Sequence, residues 1–365
     1  MKKSLAICGA CIAFYIGAGF ATMQEVLQYE ASYGSLFWVV ILVAGTIYLY
    51  TNFSFARNGN SGKINSGEEI FSIYCGEGIG RVYRVFSSFF CYISFIVMVG
   101  GANSILSQQW NLPNGFGAVI LSILAVVTVL TGFSGILKAL SLFGPIIIGL
   151  LLFTAVASCF SSFGNLESGF SAIDQRNLQI TQIGNNNPIA SGASYGGFVI
   201  LWFASFMAEL GANNDFTQVK RGVLLSFFFI FGTSIVCCMA LIGNIGSLYD
   251  ADIPALILAS SISPVFGSIF SLIIFTGIYT SAVPLLWTGV KSIPLANTYS
   301  LFTVIAGIAG CLVACFIPYA PLLNIVYGLN GYLGFALIVF MIIFDIRRHL
   351  NCRKKPDTKP GLPHR

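Results

Sequence analysis

The chain has 365 residues, of which 56% are hydrophobic and only 8% are charged. A soluble domain carries about 25% charged residues, so this chain cannot cover a water-facing surface. The composition excludes a soluble enzyme, a disordered chain, a coiled coil and a nucleic-acid-binding protein. The long apolar runs exclude a transmembrane β-barrel, whose strands alternate over about ten residues. These exclusions leave an all-α integral membrane protein that crosses the bilayer many times.

The residue types that usually hold metals or relay protons are scarce where the chain is apolar. Both histidines, His349 and His364, lie in the polar C-terminal tail, so no intramembrane histidine site is expected. The ten cysteines lie mostly in apolar runs, where free cysteine behaves as a small hydrophobe. We therefore expect no resident cofactor and no disulfide framework.

Charged and turn-forming residues divide the chain into ten candidate spans of about 20 residues each. The first follows Lys2 and Lys3, and its length and lack of a cleavage site favour a span over a signal peptide. The predicted spans are Leu5–Gln24, Ala31–Ala56, two within Val85–Thr131, Ala139–Phe160, Tyr195–Asn214, Gly222–Gly246, Val265–Val290 and two within Ser292–Phe344.

The basic residues orient these spans. With an internal N-terminus, all Lys and Arg residues except Arg176 fall on the cytoplasmic side. The positive-inside rule therefore predicts a membrane protein with both termini in the cytoplasm. The net charge of +5 then reflects topology and requires no nucleic-acid partner.

Five spans, a long polar connection and five further spans suggest two inverted repeats. The predicted units are 1–160, an external connection 161–194 that carries a short surface helix, a second repeat 195–347 and a basic tail 348–365. Inverted-repeat transporters bind solute at the midplane, where a helix of each repeat is interrupted. The sequence therefore predicts breaks in spans one and six.

Three sequence features could build such a site, and each has an ordinary alternative. Gly17 and Gly19 lie near the middle of span one, where glycine frees the backbone or simply allows helices to pack. Thr280 and Ser281 in span eight, with the Gly277 carbonyl, could bind a small cation, or the hydroxyls could bond the preceding turn.

Two glutamates are also candidates. Glu209 lies near the predicted middle of span six, where a carboxylate is costly unless it is functional; alternatively it lies nearer the cytoplasm and is solvated. Glu25 is about 30 Å from Leu5 along a straight helix, which places it at the outer mouth. There it could act as a gate or be a solvated side chain.

These features resemble a known group. Ten spans, Gly17-Ala-Gly19-Phe and Gly277-Ile-Tyr-Thr280-Ser281-Ala resemble the LeuT-fold amino acid–polyamine–organocation transporters. The string from Gly17 to Glu25 is similar, more specifically, to the bacterial YkvI membrane-protein family. The resemblance implies a sodium site from Ala13, Ile16, Gly277, Thr280 and Ser281. It also implies a substrate site lined by Gly17, Ala18, Gly19, Phe20, Phe203, Ser205 and Glu209.

The expected function is therefore a Na⁺- or H⁺-coupled secondary transporter for a small solute, an amino acid or a related amine, acting by alternating access. Glu209 departs from the amino-acid pattern of the group and leaves substrate and coupling ion open. The alternative is a ligand-sensing receptor of the same fold without appreciable transport. No enzyme is expected, and the expected partners are the solute and the lipid bilayer.

Overall fold

A computed structural model describes residues 2–16, 18–62, 64, 66–131, 133–291 and 299–353. Gly17, the first glycine of the predicted break, lies outside this part of the chain. Every regular element within the described residues is helical, and they contain no β-strand. In chain order the helices are α1 (Lys2–Tyr15), α2 (Ala18–Ala21), α3 (Phe37–Asn60), α4 (Ile70–Trp110), α5 (Phe116–Thr131), α6 (Phe133–Ser161), α7 (Leu166–Asp174), α8 (Pro188–Asn213), α9 (Phe216–Gly243), α10 (Ile245–Leu248), α11 (Pro254–Ile262), α12 (Pro264–Lys291), α13 (Tyr299–Phe316) and α14 (Tyr319–Arg353).

The long apolar helices agree with a protein that crosses the membrane many times. Six helices in the described residues are long and apolar enough to cross a bilayer, and one bent helix pair raises the number to seven. The predicted count of ten stays a prediction. The predicted turn segments at 107–115 and 317–321 do separate α4 from α5 and α13 from α14. The short surface helix expected in the connection is α7.

Two helices begin earlier than the apolar runs indicated. Helix α8 begins at Pro188, where the Asn187 side chain caps the amides of Ile189 and Ala190. Helix α9 begins after Asp215, whose carboxylate caps the amides of Thr217 and Gln218. The predicted starts, at residues 195 and 222, missed these capping residues because small and polar residues interrupt the apolar run in the first turns.

The first span is interrupted, as predicted. Helix α1 ends at Tyr15 and the four-residue α2 begins at Ala18. The chain then forms a π-helical turn, Val26–Glu30, and a 3₁₀ turn, Ala31–Leu36. Gly34 has φ of 53°, a backbone conformation that favours glycine, directly before α3. Residues 18–36 thus form an irregular segment between α1 and α3, which we call the broken segment.

The predicted break in span six is wrong. Helix α8 runs without interruption from Pro188 to Asn213. Between Gly197 and Gly211 the sequence has no glycine or proline to release the backbone, so the helical hydrogen bonds continue. Gly211 lies in the last turn and serves helix packing instead, as its contacts with α3 show.

Helices α3 and α8 pack with their backbones in close contact. A Cβ atom at Gly211 would overlap the carbonyl group of Ala56, and one at Gly59 would overlap that of Ala208. Small residues of this kind allow membrane helices to approach closely. The α3–α8 pair thereby forms a rigid wall beside the broken segment.

Replacing Gly211 with alanine is expected to destabilise the protein by about 1–3 kcal/mol, since the added methyl group has no space. Gly232→Ala on α9 is the matched control, because a Cβ there meets no atom within 4 Å. Thermal unfolding in detergent should show a lower midpoint for Gly211→Ala alone. Equal midpoints for the two variants would contradict this packing.

Candidate substrate and ion site

Helix α12 meets the end of α1 through a cluster of oxygen atoms. The Ser281 hydroxyl donates a hydrogen bond to the Ile16 carbonyl at 3.0 Å, across the two elements. The Thr280 hydroxyl donates to the Gly277 carbonyl at 2.8 Å, and that carbonyl lies 3.3 Å from the Ser281 Oγ. Four of the five residues predicted for the ion site are therefore brought together. We call them the four-oxygen cluster.

The fifth predicted residue, Ala13, lies one turn earlier on α1 and is buried. No described contact joins its carbonyl to the cluster. The bond from Thr280 to Gly277 is also the ordinary back-bond of a helical threonine, so it does not argue for an ion. The bond from Ser281 to Ile16 does not have this explanation, because it crosses from α12 to the carbonyl left free where α1 ends.

The four-oxygen cluster is closed to solvent. Ile16, Thr280 and Ser281 are at most 3% exposed. At Gly277 a Cβ would lie 2.8 Å from the Ile147 side chain of α6, so glycine lets α6 cover the cluster. Access for an ion therefore requires these helices to move.

The broken segment places Glu25 in the core. Its side chain is 2% exposed, its carboxylate lies against Gly19, and its Oε2 accepts a bond from the Tyr195 hydroxyl at 3.4 Å. This burial contradicts the alternative of a solvated Glu25. The break and the π-helical turn also prevent α1 from continuing straight to this residue. A gating role for Glu25 stays a prediction.

Of the remaining predicted substrate residues, two lie in the apolar core. Phe20 is fully buried and its ring lies 5.9 Å from that of Tyr15. The Phe203 ring lies 5.2 Å from Phe14 and 6.1 Å from Tyr15. Ala18 opens α2, and nothing is described of its side chain. The aromatic residues of α1, α2 and α8 thus pack together beside the break.

Ser205 and Glu209 lie elsewhere. Both are half-buried and both contact Gly67, in the short turn between α3 and α4. Glu209 is one turn from the C-terminal end of α8, where Asn213 bonds its carbonyl. The predicted midplane carboxylate is therefore misplaced by the early start of α8. The alternative of a solvated glutamate near the cytoplasm agrees with this position.

The structure also buries Glu30, which lies between the first two predicted spans and was not among the candidate site residues. Glu30 is fully buried, and its Oε2 accepts hydrogen bonds from the Ser234 hydroxyl and the Cys238 thiol of α9. The signal was present in the sequence: Gln24, Glu25, Gln28 and Glu30 follow directly on the glycine break. Glu25, Gln28 and Glu30 lie between the predicted spans Leu5–Gln24 and Ala31–Ala56, so the span boundaries alone place them in a connection.

Aromatic residues with polar tips surround Glu25. The Tyr29 and Tyr195 rings lie 4.9 Å apart, and the Phe198 and Tyr327 rings stack at 4.5 Å. Within the described residues the hydroxyls of Tyr29 and Tyr327 are buried without a hydrogen-bond partner. These rings form an apolar wall beside Glu25 that contains the Tyr29 and Tyr327 hydroxyls.

A polar cavity of about 400 Å³ lies beside Tyr319 and includes Asn103, Asn114 and Asp252. The Tyr319 hydroxyl is 3.3 Å from the Thr22 hydroxyl of the broken segment, and the Ala255 amide donates to the Thr22 carbonyl at 3.0 Å. Burial raises the pKa of Asp252, which lies in the loop before α11. Tyr319 therefore joins the wall of this cavity to the broken segment.

The cysteines and acids suggest no metal centre in the described residues. Cys8 and Cys11 are three residues apart on α1, and both are buried free thiols. Among the residues that the structure describes, no group of three His, Cys, Asp or Glu side chains could hold a metal ion.

The sequence matches a membrane protein of Bacillus subtilis. No protein-family model matches the chain. The uncharacterized membrane protein YkvI of Bacillus subtilis is 23% identical over 94% of this chain and 94% of its own length. The uncharacterized protein YyaD of the same organism is 24% identical over 43% of this chain and 44% of its own length. The resemblance to YkvI, first seen in the residues from 17 to 25, thus extends over nearly the whole chain.

Solved structures decide the fold. MhsT in complex with L-phenylalanine superposes with a TM-score of 0.66, at 16% identity, over 93% of this chain and 88% of MhsT. This chain has the LeuT fold. Mhp1, a nucleobase-cation-symport-1 family transporter, gives a TM-score of 0.59 at 15% identity over 88% of this chain and 74% of Mhp1. A manganese transporter of Eremococcus coleocola gives 0.56 at 14% identity over 94% of this chain and 78% of that chain.

These LeuT-fold neighbours are transporters, which agrees with the prediction that the chain is not an enzyme. At such low identity they establish the architecture alone. The substrate and the coupling ion must be argued from the residues of this chain.

Proposed function

We propose that this LeuT-fold protein is a cation-coupled secondary transporter for a small solute, an amino acid or related amine, that works by alternating access. It would act in the bacterial cytoplasmic membrane with both termini inside. The observation that carries the proposal is the hydrogen bond from Ser281 to Ile16. This bond holds the broken end of α1 against α12. An ion bound to the same oxygens would therefore control how α1 and α12 pack.

The chemistry of the four-oxygen cluster supports Na⁺ as one coupling ion. Two carbonyl and two hydroxyl oxygens are hard, neutral ligands, and a divalent ion would usually want more carboxylate. Binding would replace the present bonds from Thr280 and Ser281 with contacts to the ion. An ion bound there would favour the state in which α1 and α12 stay together, and so shift the conformational equilibrium.

The position of Glu25 supports a substrate that carries an ammonium group. Its carboxylate lies at Gly19 in the broken segment and has one described hydrogen bond, from Tyr195. A buried carboxylate is costly unless a cation or a proton compensates it. An amino group in this position would supply that charge, while Phe20 and Tyr29 pack against the rest of the solute.

Purified protein in liposomes provides the test. Uptake of labelled amino acids and small amines, with L-phenylalanine among them because MhsT binds it, is measured with an inward Na⁺ gradient and with K⁺ in its place. We expect at least one solute to accumulate, and more strongly with Na⁺. Saturable binding without flux would contradict transport and support the sensing receptor. Flux that is equal in Na⁺ and K⁺ would contradict Na⁺ coupling.

A further inference from the structure

Glu30 is a buried carboxylate outside the four-oxygen cluster. Its Oε2 accepts two hydrogen bonds, one from the Ser234 hydroxyl and one from the Cys238 thiol at 3.3 Å. Its Oε1 is buried without a hydrogen-bond partner among the described residues. Two neutral donors on one oxygen do not offset the burial of a full negative charge, so Glu30 needs a cation or a proton.

No basic side chain supplies that cation within the described surroundings of Glu30. The titratable groups that interact with it electrostatically come from each neighbouring element. They are Tyr15 of α1, Glu25 of the broken segment, Tyr195 of α8, and Cys237 and Cys238 of α9. The charged member of this set is another carboxylate, which makes an ionised Glu30 still less favourable.

The π-helical turn places Glu25 and Glu30 near enough to interact electrostatically. In a π-helix the hydrogen bonds join residues five apart, and the Ala31 amide bonds the Val26 carbonyl in this way. Glu25 and Glu30 are also five apart, so the turn brings them towards one side. Glu25 then faces α8 through Tyr195, and Glu30 faces α9 through Ser234.

The donor set distinguishes between a metal ion and a proton. A hydroxyl and a thiol both donate to Glu30, and a thiol is a soft ligand that suits neither Na⁺ nor Mg²⁺. A single proton satisfies the geometry directly. It forms an O–H bond at Oε1, the oxygen without a partner, while Oε2 keeps both hydrogen bonds as the carbonyl oxygen.

We propose that Glu30 is a proton-binding site, and that the proton is a second coupling cation distinct from the ion of the four-oxygen cluster. This rests on the proposed transport function. The reaction is a plain protonation: a carboxylate and H⁺ give a carboxylic acid, and release reverses it. The proton would leave when a conformational change opens Glu30 to water on one side of the membrane.

Infrared spectroscopy of the full-length protein in lipid nanodiscs tests the site without any solute. At pH 7 the wild type should show the carbonyl stretch of protonated carboxyl groups in a dry environment. Glu30→Gln should remove the component of that band that Glu30 contributes, and Glu25→Gln identifies any component that belongs to Glu25. Ser234→Ala should shift the same band to higher wavenumber, since it removes a donor to the carbonyl oxygen. Ser226→Ala, on the same helix but bonded to Tyr48, is the matched control and should leave the band in place.

Three outcomes decide the proposal. A spectrum unchanged by Glu30→Gln would overturn it, because the proton would lie elsewhere. A band lost in Glu30→Gln but insensitive to Ser234→Ala would overturn the assigned geometry. Because Ser234→Ala keeps Glu30, it tests the site even if the glutamine variant misfolds. A band that survives Thr280→Val with Ser281→Ala supports two separate sites. Because no solute is present, the band can be observed even if the protein does not transport a solute. Transport could likewise be observed in a protein that lacks the band.

Discussion

Replacing Thr280 with valine and Ser281 with alanine is expected to weaken the stimulation of uptake by Na⁺ strongly. The two substitutions remove both hydroxyls of the four-oxygen cluster, and with them the side-chain hydrogen bonds to the Ile16 and Gly277 carbonyls. Each lost polar contact is worth about 1 kcal/mol, so the apparent Na⁺ affinity should fall about tenfold or more. Uptake measured against Na⁺ concentration gives this number.

Thr276→Val is the matched control for that experiment. Thr276 lies one turn earlier on α12, and its hydroxyl bonds the Leu272 carbonyl of its own helix. Like Thr280, it bonds a carbonyl of the preceding turn, but no contact with the break of α1 is described for it. We expect an unchanged Na⁺ dependence for Thr276→Val. Equal losses in the control and in the double variant would show that only helix stability was changed.

Replacing Glu25 with glutamine is expected to remove binding of any solute that carries an ammonium group. Glutamine keeps the size of the side chain and an acceptor for the Tyr195 hydroxyl, but it leaves the buried ammonium unpaired. Breaking a buried ion pair in this way costs about 3–5 kcal/mol, which is a loss of about two orders of magnitude or more in affinity. Isothermal titration of the purified variants measures it.

Glu209→Gln is the control, since Glu209 lies half-buried at the end of α8 and contacts the turn at Gly67. Its loss should leave solute affinity within about twofold of wild type, as for a surface charge. A larger effect of Glu209→Gln than of Glu25→Gln would restore the original hypothesis that Glu209 contacts the solute. It would also contradict the assignment of Glu25.

Much of the architecture was predictable because bilayer thickness and charge placement constrain a membrane chain strongly. The break in span one followed from Gly17 and Gly19, whose lack of a Cβ at mid-helix is a local property. The meeting of Ile16, Gly277, Thr280 and Ser281 was predictable only through the resemblance to LeuT-fold transporters. Nothing in the spacing of two segments so distant in sequence indicates that they touch.

The buried carboxylates were not predictable from position along the chain. Counting 1.5 Å per residue assumes a straight α-helix, and this assumption fails after Tyr15. The same count misplaces Glu209, because the predicted span begins at Tyr195 whereas α8 begins after its capping residue Asn187. In each case a short irregular or capping segment decided how deep a glutamate lies.

The central claim is that the helix break and α12 together bind a monovalent cation. Equilibrium binding of radioactive Na⁺ to the purified protein tests it most directly, with wild type compared to Thr280→Val plus Ser281→Ala. We predict saturable binding of Na⁺ to the wild type and its loss in the double variant, with Thr276→Val unaffected. Equal saturable binding to all three proteins, or none to the wild type, would contradict the account.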